Sequence, residues 1–235
     1  MPSGSGPGPL SDTDEAALGR LLHGRWSCRA FDPAPVPRPL IERLLTLAQR
    51  TPSWCNMQPW HLVLTSGEAT RRLAEALSAR ARTGVADAPD IPFPDAYRNQ
   101  YLARRRECGF QLYQAVGVAR GDREAGAAQA AKNFEFFGAP HFVLVTAPRE
   151  LGPYAWVDCG GFVSVFLLAA QALGLGAVPQ AAISAHSEWL RDYFGLSDDR
   201  VVVCGISFGR ALTAEPVNEF RTSRAPLPEV VDWRD

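Results

Sequence analysis

The chain has 235 residues and a formal net charge of −1, and 46% of its residues are hydrophobic. This composition predicts a globular protein with a sizeable apolar core, at a length that suits one large domain or two small ones. The near-neutral charge argues against a nucleic-acid partner, which requires a basic face, and the absence of any run of 18 uncharged apolar residues argues against a membrane span.

The N-terminus and the cysteines indicate a cytoplasmic protein. Residues 1–10 are rich in Gly, Pro and Ser and lack the apolar segment of a signal peptide, so we interpret them as a disordered tail. The five cysteines have no C-x-x-C or Cys/His ligand spacing, which is typical of reduced thiols. The four histidines are equally dispersed, and no metal site is predicted.

Hydrophobic periodicity and turn residues predict the elements of the first third of the chain. They are a helix over residues 11–24, a second helix that follows residues 37–39 and ends before residue 52, a strand over residues 60–65 and a helix over residues 68–82. A loop is predicted over residues 84–96, because Gly84, Pro89, Pro92 and Pro94 fall within it.

The remainder of the chain continues as an alternation of helices and strands. Helices are predicted over residues 95–118, 122–137, 157–173 and 187–195, and strands or extended segments over residues 141–147, 177–183 and 201–208. The helix over residues 157–173 is apolar on all sides, which is typical of a central helix or a subunit interface. Without an internal repeat or a clear domain boundary, we predict one α+β domain over residues 11–235.

Aromatic residues are concentrated between residues 84 and 137. An ordinary core between two helices is one interpretation of them. The other is a variable helical lid that receives a flat aromatic substrate, with the three arginines of residues 104–106 available for a carboxylate. Both can hold for different residues. The predicted substrate-pocket residues are Phe93, Tyr97, Tyr101, Arg105 and Phe134.

Two short motifs suggest other enzyme classes. Residues 205–209, GISFG, match the nucleophile elbow of serine hydrolases and follow a predicted strand. No useful helix follows them, and no histidine follows His186, so a hydrolase is not supported. Residues 174–179, GLGAVP, resemble a dinucleotide-binding fingerprint, but they follow a helix, lack the third glycine and meet Pro179 where a helix would continue.

Two arginines and a serine lie within residues 25–29, RWSCR. Guanidinium groups present planar forks of donors that match phosphate oxygens, and the Ser27 hydroxyl adds a further donor. This cluster therefore favours a site for a phosphate ester. A solvated basic helix end is the alternative interpretation of the cluster taken alone.

Five stretches together resemble the FMN-dependent nitroreductase family. They are residues 25–32 (RWSCRAFD), 52–60 (PSWCNMQPW), 174–183 (GLGAVPQAAI), 203–209 (VCGISFG) and 218–227 (NEFRTSRAPL). The resemblance spans roughly residues 20–233, and residues 52–60 are its most specific part. With the lid region included, the chain is most similar to the branch that reduces nitrobenzoate-type aromatic compounds.

The resemblance implies a nitroreductase-like α+β fold, with a central mixed sheet surrounded by helices. It also implies an intertwined homodimer with two FMN molecules at its interface. Residues 84–137 would be the variable helical lid, and residues 215–235 would extend onto the partner subunit. The cofactor would be FMN, and NAD(P)H would be a co-substrate that visits the site, which explains why no dinucleotide-binding fold is needed.

The resemblance also implies roles for thirteen residues. Arg25, Trp26 (mainly by its backbone), Ser27, Arg221 and Arg224 would bind the phosphate and ribitol end of FMN, and Arg29 would lie near N1 and O2 of the flavin. Pro52, Ser53, Trp54 and Asn56 would line the ring from the partner subunit. Pro179, Gln180 and Ala181 would lie against the opposite face of the ring, with a backbone N–H near N5.

Two departures from the family pattern limit these roles. A Glu-Gly pair is common in the family where this chain has Ala181 and Ala182, so only a backbone role survives there. Trp26 replaces a more usual Arg or His, which leaves fewer phosphate donors. Packing is an alternative role for Trp54, Gln58, Pro59 and Trp60.

The function that these observations favour is a flavin-centred, ping-pong hydride transfer from NAD(P)H to an electron-poor aromatic acceptor such as a nitroaromatic compound. No side chain would act as a nucleophile, because the flavin carries the chemistry. An oxidase, dehydrogenase or dehalogenase of a biosynthetic intermediate on the same scaffold is one alternative. A non-catalytic flavin-binding protein is the other.

Overall fold

Four strands form the sheet on which the helices pack. The computed structural model describes residues 12–85 and 87–234, so Ser11 and the predicted tail over residues 1–10 lie outside the described residues. The strands are β1 (His61–Ser66), β2 (His141–Pro148), β3 (Gly176–Gln180) and β4 (Arg200–Gly209). Their order in the sheet is β1-β2-β4-β3, and every neighbouring pair is antiparallel.

The expectation of a mixed sheet is wrong for these four strands. Strands β2 and β3 both run antiparallel to β4, so they are parallel to each other. A helical crossover joins them, as parallel strands require. Strand β4 lies between the two, however, and no parallel ladder can form. Among the described residues, the one parallel pairing is an isolated bridge between Ser27 and Ala177.

Seven α-helices surround the sheet in the described ranges. They are α1 (Asp12–Gly24), α2 (Arg38–Ala48), α3 (Glu68–Arg82), α4 (Asn99–Ala115), α5 (Arg123–Ala131), α6 (Gly152–Ala172) and α7 (Ser187–Phe194). Both faces of β2 are buried, which explains its continuous apolar sequence. Val143 and Val145 face a core with α2 and α6, whereas Phe142 and Leu144 face a second core with α3 and α7.

The two helices of the predicted lid region, α4 and α5, are shorter than predicted. Helix α4 begins at Asn99, four residues after the predicted start, and Asn99 itself has a positive φ of 49°. Helix α5 ends at Ala131, six residues before the predicted end. Phe136 and Phe137 have φ values of 54° and 53°, a left-handed backbone that a continuous helix excludes. Both rings are buried in the second core, so packing offsets this strain.

Helix α6 has the length and apolar composition of a membrane span, but it is a core helix. One face is buried on the sheet and on α2, through residues such as Ala155, Cys159 and Phe162. The opposite face is open, with Tyr154 62% and Val157 68% exposed. Helix α6 is therefore apolar on both of these faces. One face packs in the core, and the other is exposed among the described residues.

Glycine at position 205 permits the close contact between β4 and Phe142. A Cβ there would stand 2.7 Å from Cζ of Phe142 and 3.1 Å from Cγ1 of Ile183, and both side chains are fully buried. We expect Gly205→Ala to lower the free energy of unfolding by about 1–3 kcal/mol, because a packed core accommodates extra atoms poorly. Urea denaturation measures the loss. Gly109→Ala, on α4 with open space around it, is the matched control, and an equal response in both variants would contradict the prediction.

Candidate functional site

The buried side chain of Asn218 joins the two ends of the described chain. Its Oδ1 accepts a hydrogen bond of 2.8 Å from the backbone N–H of Arg29. Its Nδ2 donates to the carbonyl oxygens of Ala30 and Leu212, both at 2.9 Å. Its own carbonyl oxygen accepts from Nη1 of Arg221 at 2.7 Å. This single residue therefore holds the C-terminal arginines beside the segment that follows α1.

The result is a cleft of about 380 Å³ lined by arginines from both ends of the chain. Six of the predicted cofactor-binding residues line it. They are Arg25, Trp26, Ser27, Arg29, Arg221 and Arg224. The guanidinium carbon of Arg221 lies 4.4 Å from the centre of the Trp26 ring, and that of Arg29 lies 5.7 Å from the Phe220 ring. Such stacking holds a guanidinium in place while its N–H donors stay available.

None of the four arginines of this cleft forms an ion pair with a carboxylate in the described ranges. Burial lowers the pKa of Arg29, and it lowers the pKa of Arg25, with the nearby Arg224 charge as a second cause. Uncompensated cations in a partly desolvated cleft carry a free-energy cost that a bound anion removes. The arginine cleft is thus built to receive a negatively charged group.

Residues 52–60 form a separate, strained segment beside α6. The backbone N–H of Trp54 donates to the Asp158 carboxylate at 3.2 Å, and the Trp54 ring lies 5.0 Å from the Tyr154 ring. Cys55, Asn56 and Gln58 have positive φ values of 49°, 56° and 47°. Strain of this kind concentrates at binding sites.

The four residues predicted to come from the partner subunit lie in this strained segment. They are Pro52, Ser53, Trp54 and Asn56. None of them lines the arginine cleft of the same chain. Trp60, for which packing was an alternative, is buried and stacks on Phe162 at 5.1 Å.

The three residues predicted for the other flavin face lie at the end of β3. Pro179 and Ala181 are exposed, whereas Gln180 is buried and points inward. Nε2 of Gln180 donates to the carbonyl oxygen of Asn133 at 2.8 Å, and its Oε1 accepts from the Ser207 hydroxyl. The Gln180 side chain is therefore a scaffold that fixes the exposed backbone on either side of it.

The structure explains the two rejected motifs. Ser207 lies inside β4, is fully buried and bonds to Gln180, so it is not an exposed nucleophile. Gly209 allows Pro140 to pack closely, since a Cβ there would stand 2.7 Å from Pro140 Cδ. Gly176 does the same for Cys28, whose Sγ would stand 2.8 Å from an added Cβ. These glycines serve packing.

The five predicted substrate-pocket residues do not line the arginine cleft. Phe93, Tyr97 and Tyr101 are 43%, 42% and 63% exposed. Arg105 stacks on the Tyr97 ring at 4.9 Å, and Phe134 packs edge-on against His186 at 5.3 Å. Arg104, one of the three arginines predicted to be available for a carboxylate, pairs with Glu229 of the C-terminal segment at 2.9 Å.

Five residues that line the cleft were not predicted as site residues: Leu22, His23, Cys108, Phe220 and Thr222. Cys108 comes from α4. Phe220 and Thr222 are the sequence neighbours of Arg221. This adjacency is the signal in the sequence, because a segment that places Arg221 in a cleft also brings its neighbours to the cleft wall.

Comparison with known proteins decides the family. The model of the nitroreductase family matches residues 22–210 of this chain. The chain belongs to the nitroreductase family. Nitroreductase NfnB of Mycolicibacterium smegmatis is 36% identical over 224 residues, which cover 94% of each chain. A 4-nitrobenzoate reductase of Pseudomonas putida is 32% identical over 204 residues, which cover 87% of this chain and 89% of that protein.

A solved structure supports the same assignment. The crystal structure of the FMN-dependent nitroreductase NfnB from Mycobacterium smegmatis in complex with NADPH has a TM-score of 0.89 against this chain. The two are 33% identical, and the match covers 95% of this chain and 100% of that one. The resemblance inferred from the five stretches is thus confirmed at the level of the family, and this member of the nitroreductase family is an enzyme.

Proposed function

We propose that this nitroreductase-family enzyme binds FMN in the arginine cleft and, as a cytoplasmic homodimer, reduces nitroaromatic compounds with NAD(P)H in a ping-pong cycle. The convergence of Arg25, Arg29, Arg221 and Arg224, without a carboxylate partner in the described ranges, carries this proposal. Four guanidinium groups around one cleft suit a phosphate ester, which is the most highly charged part of FMN. Named relatives that are FMN-dependent or reduce 4-nitrobenzoate support it.

Different residues of the cleft would bind different parts of the cofactor. Arg25, Arg221 and Arg224 would bind the phosphate, with Ser27 as a further donor. Arg29, the most buried cation of the group, would lie beside N1 and O2 of the ring. A fixed positive charge there stabilises the negative charge that reduction places on these atoms, and so raises the reduction potential. The chemistry that bound FMN supplies is hydride transfer through N5.

The unpartnered apolar surface supports a homodimer. Leu18 and Leu22 of α1, Trp54, and Tyr154 and Val157 of α6 are between 52% and 68% exposed. Helix α1 and the segment around Trp54 both pack on α6. Large apolar side chains that are left exposed near one another are typical of an interface. A second copy seated there would bring the strained segment over residues 52–60 to the partner's flavin.

The lid would select the acceptor. Phe93, Tyr97, Tyr101 and Phe134 offer aromatic surfaces on which a flat ring can stack. Arg105, held over Tyr97, would attract a carboxylate or nitro group on that ring. This arrangement suits nitrobenzoates among the nitroaromatic compounds.

The test uses the purified full-length protein. We expect a yellow protein with one FMN per chain, whose flavin absorbance is bleached by NAD(P)H and restored by 4-nitrobenzoate without air. Initial rates at several fixed acceptor concentrations are expected to give parallel double-reciprocal lines. A colourless protein that takes up no FMN would contradict the proposal. A flavin that neither nicotinamide reduces would favour an oxidase, dehydrogenase or dehalogenase instead.

A further inference from the structure

A second groove, of about 730 Å³, lies between α4 and α5 and is lined by none of the residues assigned above to the flavin or the acceptor. The rings of Phe110 and Tyr113 form part of its wall, and Phe110 is 53% exposed. Gly126 and Ala130 of α5 form the facing side. The groove therefore combines aromatic rings on α4 with small residues on α5, a lining that suits a flat ring.

Two cations flank this groove. Arg120 and Arg123 both line it, and neither is in an ion pair within residues 12–85 and 87–234. The guanidinium carbon of Arg120 lies 5.8 Å from the centre of the Phe110 ring. Asp122 lies between them, but its carboxylate accepts from the backbone N–H of Ala125 at 2.9 Å and caps α5. A ring face beside two unpaired guanidiniums suits a heteroaromatic base that carries a phosphate.

Helix α5 connects this groove to the proposed flavin site. Asn133, two residues after α5, accepts a hydrogen bond from Gln180, which is adjacent to the proposed flavin face. Ala130 is at this end of the groove, and Arg123 is at the other end of α5. The nine residues of α5 rise roughly 12 Å from first to last. A dinucleotide whose nicotinamide meets the flavin must place its adenosine end away from it.

We propose that this groove binds the adenosine 2′-phosphate end of NADPH, with the adenine on Phe110 and Tyr113 and the 2′-phosphate between Arg120 and Arg123. The proposal rests on the proposed function, because it requires NAD(P)H as the hydride donor. It assigns a coenzyme preference to two residues. NADH lacks the 2′-phosphate, so it cannot use the two guanidiniums, and NADPH is the preferred donor.

The test compares both coenzymes at fixed acceptor concentration in the FMN-loaded enzyme. Arg120→Ala and Arg123→Ala are each expected to lower kcat/KM for NADPH about tenfold, the effect of one lost charge-assisted hydrogen bond. The value for NADH is expected to change less than twofold. In the wild type, 2′,5′-ADP is expected to compete with NADPH far better than 5′-ADP does, and this difference should vanish in the double variant. Arg43→Ala, an exposed arginine of α2, is the control.

Several outcomes would overturn the assignment. One is a wild type that prefers NADH, and another is an equal loss for both coenzymes in the arginine variants. If the arginine variants change the mass of the dimer but not the ratio of kcat/KM for NADPH to that for NADH, the groove binds a partner chain and not the coenzyme. Failure of the proposed function looks different, because a protein without FMN would oxidise neither coenzyme.

Discussion

Arg25→Ala and Arg221→Ala are each expected to weaken FMN binding about ten- to a hundredfold, and the double variant is expected to purify without FMN. Hydrogen bonds from charged donors to phosphate contribute roughly 1.5–3 kcal/mol each, and every 1.4 kcal/mol is a factor of ten in Kd. The two side chains come from opposite ends of the chain and line one cleft. Quenching of FMN fluorescence during titration of the apoprotein measures the affinity.

The Arg25→Ala substitution is expected to leave the apoprotein as stable as the wild type or more stable. Burial and the Arg224 charge lower the pKa of Arg25, so its charged form is held at a cost in the free protein. Removing a side chain that serves ligand binding relieves this cost. Loss of FMN affinity without loss of apoprotein stability distinguishes a binding residue from a structural one.

Two further variants sharpen this comparison. Arg20→Ala removes an exposed arginine of α1 that does not line the cleft, and it should leave FMN affinity unchanged. Arg25→Lys keeps the charge but loses the planar fork, and it should recover part of the lost affinity. Equal weakening in Arg20→Ala would mean that general charge attraction, and not the cleft, governs binding. An unchanged Kd in both Arg25→Ala and Arg221→Ala would refute the site.

Local signals in the sequence suffice for much of the fold. The apolar spacing over residues 68–82 predicts α3, and the structure has a helix at Glu68–Arg82. Signals fail where tertiary packing overrides them. The backbone at Phe136 and Phe137 turns left-handed because both rings enter the core, and the sequence pattern of α5 contains no sign of this. The antiparallel sheet likewise depends on β4 lying between β2 and β3, which no local pattern encodes.

The candidate site divides in the same way. The arginines are recognisable because their chemistry is local, and the family resemblance supplies their common purpose. The contact that assembles them is not local, because Arg29 and Asn218 are 189 positions apart and meet through one buried amide. Cys108 reaches the cleft only because α4 packs beside the C-terminal segment. Pocket walls made by distant elements leave no short motif behind.

Asp90→Ala is expected to lower the free energy of unfolding by about 3–5 kcal/mol, the usual cost of removing one partner of a buried ion pair. The Asp90 carboxylate is 6% exposed and binds Arg149, at 2.9 Å, and Arg191. It also accepts from the backbone N–H of Val202 at 2.8 Å. These bonds anchor the loop before α4 to α7 and β4. Thermal and urea denaturation at one protein concentration measure the loss.

A second variant tests the physical cause of that loss. In Asp90→Ala the Arg191 side chain, 11% exposed, stays buried as a cation without its carboxylate, whereas Arg149, 48% exposed, can turn to solvent. Adding Arg191→Met removes the stranded charge, so the double variant is expected to be more stable than Asp90→Ala alone. Glu42→Ala, which breaks an exposed pair with Arg38, should change stability little. If Asp90→Ala lowers the free energy of unfolding no more than Glu42→Ala does, this carboxylate does not anchor the loop before α4.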